Sequence, residues 1–442
     1  MQHQQAIDLV LQLAAQQGAT AELLFERKQG FSLKAKQGEI DEQSLSDTSV
    51  LGLRLYREQQ IGLAYTEALD EQALQTLVQQ ALDSSRYCQA DSAHQLLVHQ
   101  HQLRTPADLN PPEQVPSLVQ GIELLLQMEA ELLAKPKIHS LPYNGFGFQQ
   151  QHRLLVNSQG LRAESQTQAA HLYAYALAQE GERNAMEGLA VAERDWQQIS
   201  ALRLVEQVSA ESLAMLEGSS ITSGRYDAVF STEQLASLLD IFSLVFSGKA
   251  AVDGINPWAD KLGQAVASSQ LQLFDQALDS QGLGYSLFDA EGTACQNLCL
   301  LAEGQLQSLI HNGYSAHKLG QQSTGHASRS AKGALGISVH QWYLPAGNSS
   351  DAELRQGQYL EITGLQGLHS GANPISGDFS FGASGYLCRD GQRQQAVRGI
   401  TLAGNFYQLL NQIQGIGQQS LWHPSRSCRL APVRFAGLQV AS

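Results

Sequence analysis

Thirteen histidines and five cysteines are the residues of this 442-residue chain whose types could hold a metal or act as nucleophiles. A catalytic zinc takes about three protein ligands, commonly two histidines one helical turn apart, with a glutamate beside them to activate the bound water. No histidine here is followed by glutamate, so His-Glu-x-x-His does not occur. The nearest gathering is His311, His317 and His326 in LIHNGYSAHKLGQQSTGHASR. Its spacings of six and nine residues need a loop to bring the rings together, and no carboxylate lies nearby in sequence, so a polar surface loop competes with a metal site. Cys295 and Cys299 form one Cys-x-x-x-Cys pair with no second pair after it. An odd, sparse set of thiols reads as reduced cysteines, and these two as buried ones on a strand that leads to a hairpin. Asp240, between Leu239 and Ile241 on an expected helix, reads as a carboxylate at a face boundary.

Other reaction classes find no foothold. Neither Gly-x-Ser-x-Gly nor a Gly-x-x-x-x-Gly-Lys-Ser/Thr loop is present, and Gly282-Leu283-Gly284 and Gly415-Ile416-Gly417 lack the third glycine of a dinucleotide fingerprint. A net charge of −14 without a Lys/Arg cluster argues against nucleic acid. The first residues lack a basic leader and no stretch approaches the roughly 20 apolar residues of a membrane span, so a soluble, cytoplasmic protein is expected.

Residues 370–391, SGANPISGDFSFGASGYLCRDG, alternate like a strand yet are rich in glycine and serine. Phe379 and Phe381 share one face at period two, while Gly377, Ser380, Gly382 and Gly385 leave the backbone accessible. Glycine within a strand often marks close approach of another backbone. Were the edge free, an extended peptide could add to it through main-chain hydrogen bonds, with Ser376, Gly377, Asp378, Phe379 and Ser380 as the peptide-binding residues. The alternative is glycine serving turns and bulges in an ordinary sheet.

The elements that would position these residues fall into three blocks of an α+β chain, since one core seldom grows beyond about 250–300 residues. Residues 1–105 read as an N-terminal helix and antiparallel-sheet domain. Ile7, Val10, Leu11 and Ala14 give a helix ended by Gly18, then Leu51, Leu53, Leu55 and Ile61, Leu63, Tyr65 alternate as half-buried strands, and Leu74 to Leu82 form a second helix. The block closes in the polar stretch SAHQLLVHQHQLRTPADLNPP. Residues 106–220 read as a middle α/β segment: a helix through Leu118, Ile122, Leu125 and Leu132, strands joined at Asn157-Ser158-Gln159-Gly160, and a helix from Ser200 to Glu217. Residues 221–442 read as a β-rich domain of mixed or antiparallel sheet with helices. A strand Tyr226 to Phe230 leads into a helix that a Ser231/Gln234 capping box starts, with Leu235, Leu238, Leu239, Phe242, Val245 and Phe246 on its apolar face.

In order along the chain, Asn157-Ser158-Gln159-Gly160, Ser315 to Gly320 with Ser323-Thr324-Gly325-His326, Ser376-Gly377-Asp378-Phe379 and Gly399 to Asn405 resemble segments of the TldD/PmbA (TldD/TldE) peptidase family. In that family's TldD-like branch, a helix near the start of the C-terminal domain carries His-Glu-x-x-x-His and a later cysteine completes a zinc site. Here the matching helix reads Leu238-Leu239-Asp240-Ile241-Phe242-Ser243-Leu244-Val245, so Cys428 has no such partners, and the chain resembles the PmbA (TldE) branch. The resemblance implies a non-catalytic subunit with no cofactor of its own, lining a peptide chamber. Its partner would be a TldD-like subunit that holds the zinc, and its substrates unfolded peptides, in leader removal and degradation. An autonomous hydrolase with another site, or a homodimer that binds peptides without cleaving them, are the alternatives.

Overall fold

The computed structural model describes residues 2–98 and 114–442, so the expected boundary near residue 105 and the Pro111-Pro112 opening lie outside the described residues. The first block is α1 (His3–Gln16), β1 (Thr20–Lys36), β2 (Glu39–Arg57), β3 (Gln60–Thr66) and α2 (Glu71–Ser85). One face of α1 buries Ala6, Ile7, Val10 and Ala14, and the turn after it needs a positive φ of 66°, which Gly18 supplies. Asp70 caps α2 by accepting the Ala73 N–H at 3.0 Å.

The middle block is α3 (Leu118–Leu133), β4 (Ile138–Asn157), β5 (Arg162–Glu180), β6 (Arg183–Glu193) and α4 (Ala201–Leu216). Ser117 and Gln120 form a reciprocal capping box at α3, and the Asn157 side chain accepts the N–H groups of Gln159 and Leu161 to set the turn between β4 and β5. The two blocks are separate in sequence but not in the sheet. β1 pairs with β4 from Glu22↔Asn157 to Leu33↔Phe146, giving one six-stranded sheet in the order β3-β2-β1-β4-β5-β6.

Leu51, Leu53 and Leu55 face α1 and α2 as their alternation predicts. The intervening Gly52, Arg54 and Tyr56 are buried too, because the C-terminal block covers the other face: a Cβ on Gly52 would lie 1.9 Å from the Ala331 carbonyl oxygen. Leu24, Leu155 and Ala163 on that face pack with Leu287, Phe288 and Ala331.

The third block opens with β7 (Gly224–Phe230), α5 (Thr232–Ile241) and α6 (Gly248–Val252). It continues through β8 (Leu273–Gln276), β9 (Asn297–Ala302), β10 (Gln305–Leu306), α7 (Gly313–Lys318), β11 (Ala327–Ser328), β12 (Gly336–Ile337), β13 (Trp342–Leu344) and α8 (Asp351–Leu354). It ends with β14 (Gln358–Gln366), β15 (Asp378–Arg389), β16 (Gln392–Asn405), α9 (Phe406–Leu409), β17 (Ile413–Ile416), β18 (Leu421–Trp422), β19 (Arg429–Leu430) and β20 (Val433–Ala441). One sheet runs β16-β15-β14-β7-β20-β17, and β16 also pairs with β20, so five strands close into a ring. β7 and β14 are parallel while their outer neighbours are antiparallel, a mixed sheet as expected. A second sheet runs β10-β9-β8-β13-β19-β18, and one face of α5 (Leu235, Ala236, Leu238 and Leu239) is buried in the core that the two share, with Phe242, just after the helix, stacking on Phe406 at 4.6 Å. Among the described residues no helix is long and apolar enough to cross a membrane.

Candidate functional site

β7 delivers Ser231 to the N-terminus of α5, where its hydroxyl accepts the Gln234 N–H at 3.4 Å. Only half of the expected capping box forms. The Gln234 side chain donates instead to the Thr363 carbonyl at 3.0 Å, tying the helix to β14. The first turn of α5 opens onto a cleft of about 720 Å³ between the middle and C-terminal blocks, lined by Glu193, Arg203, Glu233, Arg355, His423 and Arg426 among others. Arg426 bridges the two blocks by pairing with Glu193 at 2.9 Å.

Near this cleft α5 carries Asp240, which is open to solvent but whose carboxylate accepts the Trp342 indole N–H at 2.7 Å. His423 accepts the Ser425 N–H on Nδ1 at 3.0 Å, and burial lowers its pKa despite the nearby Glu233 and Asp240. Burial, with Asp240 adding to it, pushes the Cys428 thiol up to about 12. These side chains do not bring three ligand atoms together; the set that does, among the described residues, lies elsewhere. The α5 region therefore does not fit the zinc of the TldD-like branch.

The convergent set is Asp275, His326 and His340, with ligand atoms within 4.8 Å of one another. β8 carries Asp275 inward, and its pairing with β13 at Trp342↔Asp275 brings His340, just before β13, alongside. Asp275 Oδ2 accepts from His326 Nε2 at 2.7 Å and from His340 Nδ1 at 2.8 Å, and Oδ1 accepts the Gln341 N–H at 2.8 Å. Burial alone would raise the Asp275 carboxyl, but its hydrogen bonds with His326 and His340 outweigh it and hold the group well below the usual carboxylate range. Burial would likewise lower His340, yet Asp275 on one side and Cys295 on the other lift it to about 10.

Cys295 Sγ lies 3.4 Å from His340 Nε2, so Cys295, His340 and Asp275 stand in the order nucleophile, base and orienting carboxylate. The thiol is only 7% exposed, and burial raises its pKa. A substrate has no access to it, and the arrangement is not that of a working nucleophile.

The three histidines singled out in sequence do not meet. His326 joins the cluster; His311 is buried beside it, donating its N–H to Thr324 Oγ1 at 2.7 Å, and burial, with His326 nearby, lowers its ring to about 4. His317 sits at the exposed end of α7, 3.2 Å from the Gln95 amide. Asp275 and His340 escaped the sequence reading because the fold brings them to His326 from 51 and 14 residues away. The available signal was a carboxylate inside the apolar alternation LQLFDQ.

In the glycine-rich stretch, Phe379 and Phe381 are buried and stacked at 5.1 Å on one face, as the alternation predicts. The free edge expected for a peptide is absent. β16 pairs with one side of β15 from Asp378↔Asn405 onward. On the other side, β14 reaches Gly382, and ahead of it Gly371 accepts the Ser380 N–H while Asn373 donates to the Asp378 carbonyl. Another backbone does lie against the glycines, but it is the chain's own: a Cβ on Gly385 would lie 1.9 Å from the Glu361 carbonyl oxygen. Ser376 and Asp378 remain exposed, joined by a 2.8 Å hydrogen bond, with Gly377 turning at φ 85°. Asn405 and Ser376 together lower the Asp378 pKa.

A mixed, ring-closed sheet docked on a long antiparallel one, with a cleft where they meet at α5, defines a three-part α+β protein. Residues 21–85, 108–216 and 223–442 match, respectively, the PmbA/TldA metallopeptidase domain 1, central domain and C-terminal domain. The chain belongs to the PmbA/TldD metallopeptidase family. It is 26% identical to Metalloprotease PmbA of Escherichia coli O157:H7 over 434 residues, covering 94% of this chain and 91% of that protein. It is also 26% identical to the Metalloprotease PmbA homolog of Haemophilus influenzae, covering 93% of this chain and 90% of the relative. The crystal structure of TldE from Thermococcus kodakarensis shares the fold, with a TM-score of 0.89 at 20% identity, covering 99% of this chain and all (100%) of that one.

Proposed function

We propose that this chain is the PmbA/TldE-type, non-catalytic subunit of a cytoplasmic TldD/TldE-type metallopeptidase. A TldD-like partner carries the catalytic zinc and the base; this chain supplies half of the chamber in which unfolded peptides are held, for leader removal and degradation. The observation that carries the reading is at α5. The helix bordering the interdomain cleft presents Asp240, already engaged by Trp342, and with the neighbouring His423 and Cys428 it does not bring three ligand atoms together.

The test is peptidase activity. The purified chain alone should cleave no unfolded peptide, and addition of a TldD-like subunit should give chelator-sensitive cleavage together with a heteromeric species on a sizing column. Cleavage by the isolated chain would overturn the reading.

A further inference from the structure

Away from the α5 cleft, the Asp275, His326 and His340 side chains converge where no catalytic role has been assigned. Their side chains are 0%, 0% and 12% exposed. We propose that Asp275 Oδ2, His326 Nε2 and His340 Nδ1 form a closed, structural binding site for a divalent d-block ion of the zinc type.

Three features of the geometry support this. The ligand chemistry is one carboxylate and two imidazoles, a set that suits zinc and its neighbours better than magnesium or calcium, which prefer all-oxygen shells. The three ligand atoms already lie within 4.8 Å of one another, the two shortest separations being 2.7 and 2.8 Å. Bonds of about 2.0–2.1 Å in tetrahedral geometry place ligand atoms roughly 3.3 Å apart, so entry of an ion opens the two contacts to Asp275 by about half an ångström each and draws together the two imidazole nitrogens, which lie within 4.8 Å of each other.

The outer sides of both rings are the third feature. His326 Nδ1 lies 2.9 Å from the Thr324 carbonyl oxygen, and His340 Nε2 lies 3.4 Å from Cys295 Sγ. Each ring thus has a partner on both nitrogens, the Thr324 hydroxyl lying 2.9 Å from His326 Nδ1 as well. With an ion on the inner nitrogens, the hydrogens now shared with Asp275 leave to solvent, and each ring keeps one on its outer nitrogen, donated to Thr324 or Cys295. A ligand histidine is ordinarily held in this way by an outer acceptor. The ion would clamp β8, the segment before β11 and the segment before β13, and through Trp342 would steady the indole that holds Asp240 of α5.

This site is independent of the proposed subunit role. A metal bound here is sealed from substrate, and the two readings fail in different experiments. The full chain, stripped with chelator and titrated with zinc against a chromophoric competitor, should bind one equivalent and melt at a higher temperature when loaded. The double variant His326→Ala/His340→Ala should weaken binding by more than about 100-fold, whereas Asp240→Asn/Cys428→Ser should leave it unchanged. No stoichiometric binding by the wild type, binding undiminished in the double variant, or binding lost with the Asp240/Cys428 pair would each overturn the proposal. If the double variant does not fold, the cobalt-loaded wild type decides. Strong tetrahedral d–d absorption without thiolate-to-cobalt charge transfer supports this ligand set, and a thiolate band, or weak six-coordinate absorption, refutes it.

Discussion

Arg329 of the C-terminal block donates to Glu22 of β1 at 2.8 Å, and the two side chains are 1% and 2% exposed. Arg54 of β2 approaches the same carboxylate at 3.0 Å and reaches Glu291 at 3.5 Å. Charges sealed in this way are tolerable only while each has its partners, because desolvation costs several kcal/mol per ion. The network therefore ties the long sheet to the C-terminal block through charges that each need their partners. Arg54→Ala should destabilise the protein by about 3–5 kcal/mol, measured by urea unfolding. Replacing Glu22, Arg54, Glu291 and Arg329 together with apolar residues of similar size, so that no charge of the network is left behind, should cost less than that single change.

The Glu187 carboxyl titrates in the neutral range. Burial, with Glu211 nearby, raises its pKa from 4.5 to about 7, while Glu211 is itself held by Arg393 at 3.0 Å. A carboxyl whose folded pKa lies above its unfolded value favours folding fully below the unfolded value, and that contribution is lost as pH rises through the folded one. Stability should accordingly fall between about pH 4.5 and pH 7 through this group. Glu187→Gln should flatten that slope and gain on the order of 2 kcal/mol at pH 8, with no gain at pH 4. A variant with the wild-type slope would show that Glu187 is solvated in the folded protein.

Much of the secondary structure was legible because local signals and tertiary demands agree. The Gly18 stop, the Asn157 turn and the apolar face of α5 are each decided within a few residues. Legibility failed where a second partner arrives from far along the chain. Arg54 and Tyr56 read as the outer side of a half-buried strand, yet they are buried because residues near 329–331 cover them. The candidate site divides in the same way: His326 was visible, whereas Asp275 and His340 became its neighbours only through the pairing of β8 with β13.

The histidines separate by the same logic, and mutation should show it. His317 is exposed and held by one amide, so His317→Ala should change stability by less than about 0.5 kcal/mol and, in the proposed complex, leave peptide cleavage intact. His326→Ala removes a buried partner of Asp275 and should cost about 3 kcal/mol or more. Equal effects at the two positions in thermal unfolding would contradict the placement of these side chains.

Gly382 and Gly385 lie three residues apart on β15 and should respond in opposite ways. The nearest atom to a Cβ on Gly382 is the Gln366 Cβ at 3.4 Å, an ordinary contact, and residue 382 pairs with both neighbouring strands. Valine there should be accepted within about 1 kcal/mol. A Cβ on Gly385 meets main chain at 1.9 Å, at the register shift between Ile362 and Gly364, and backbone on the next strand cannot swing aside as a side chain can. Gly385→Ala should then cost about 3 kcal/mol or more and hinder assembly by unfolding the ring. Were Gly382→Val instead the variant that abolished peptide cleavage while folding normally, the strand would have to open its β14 edge to receive a peptide, and the closed edge described above would be only one of its working states.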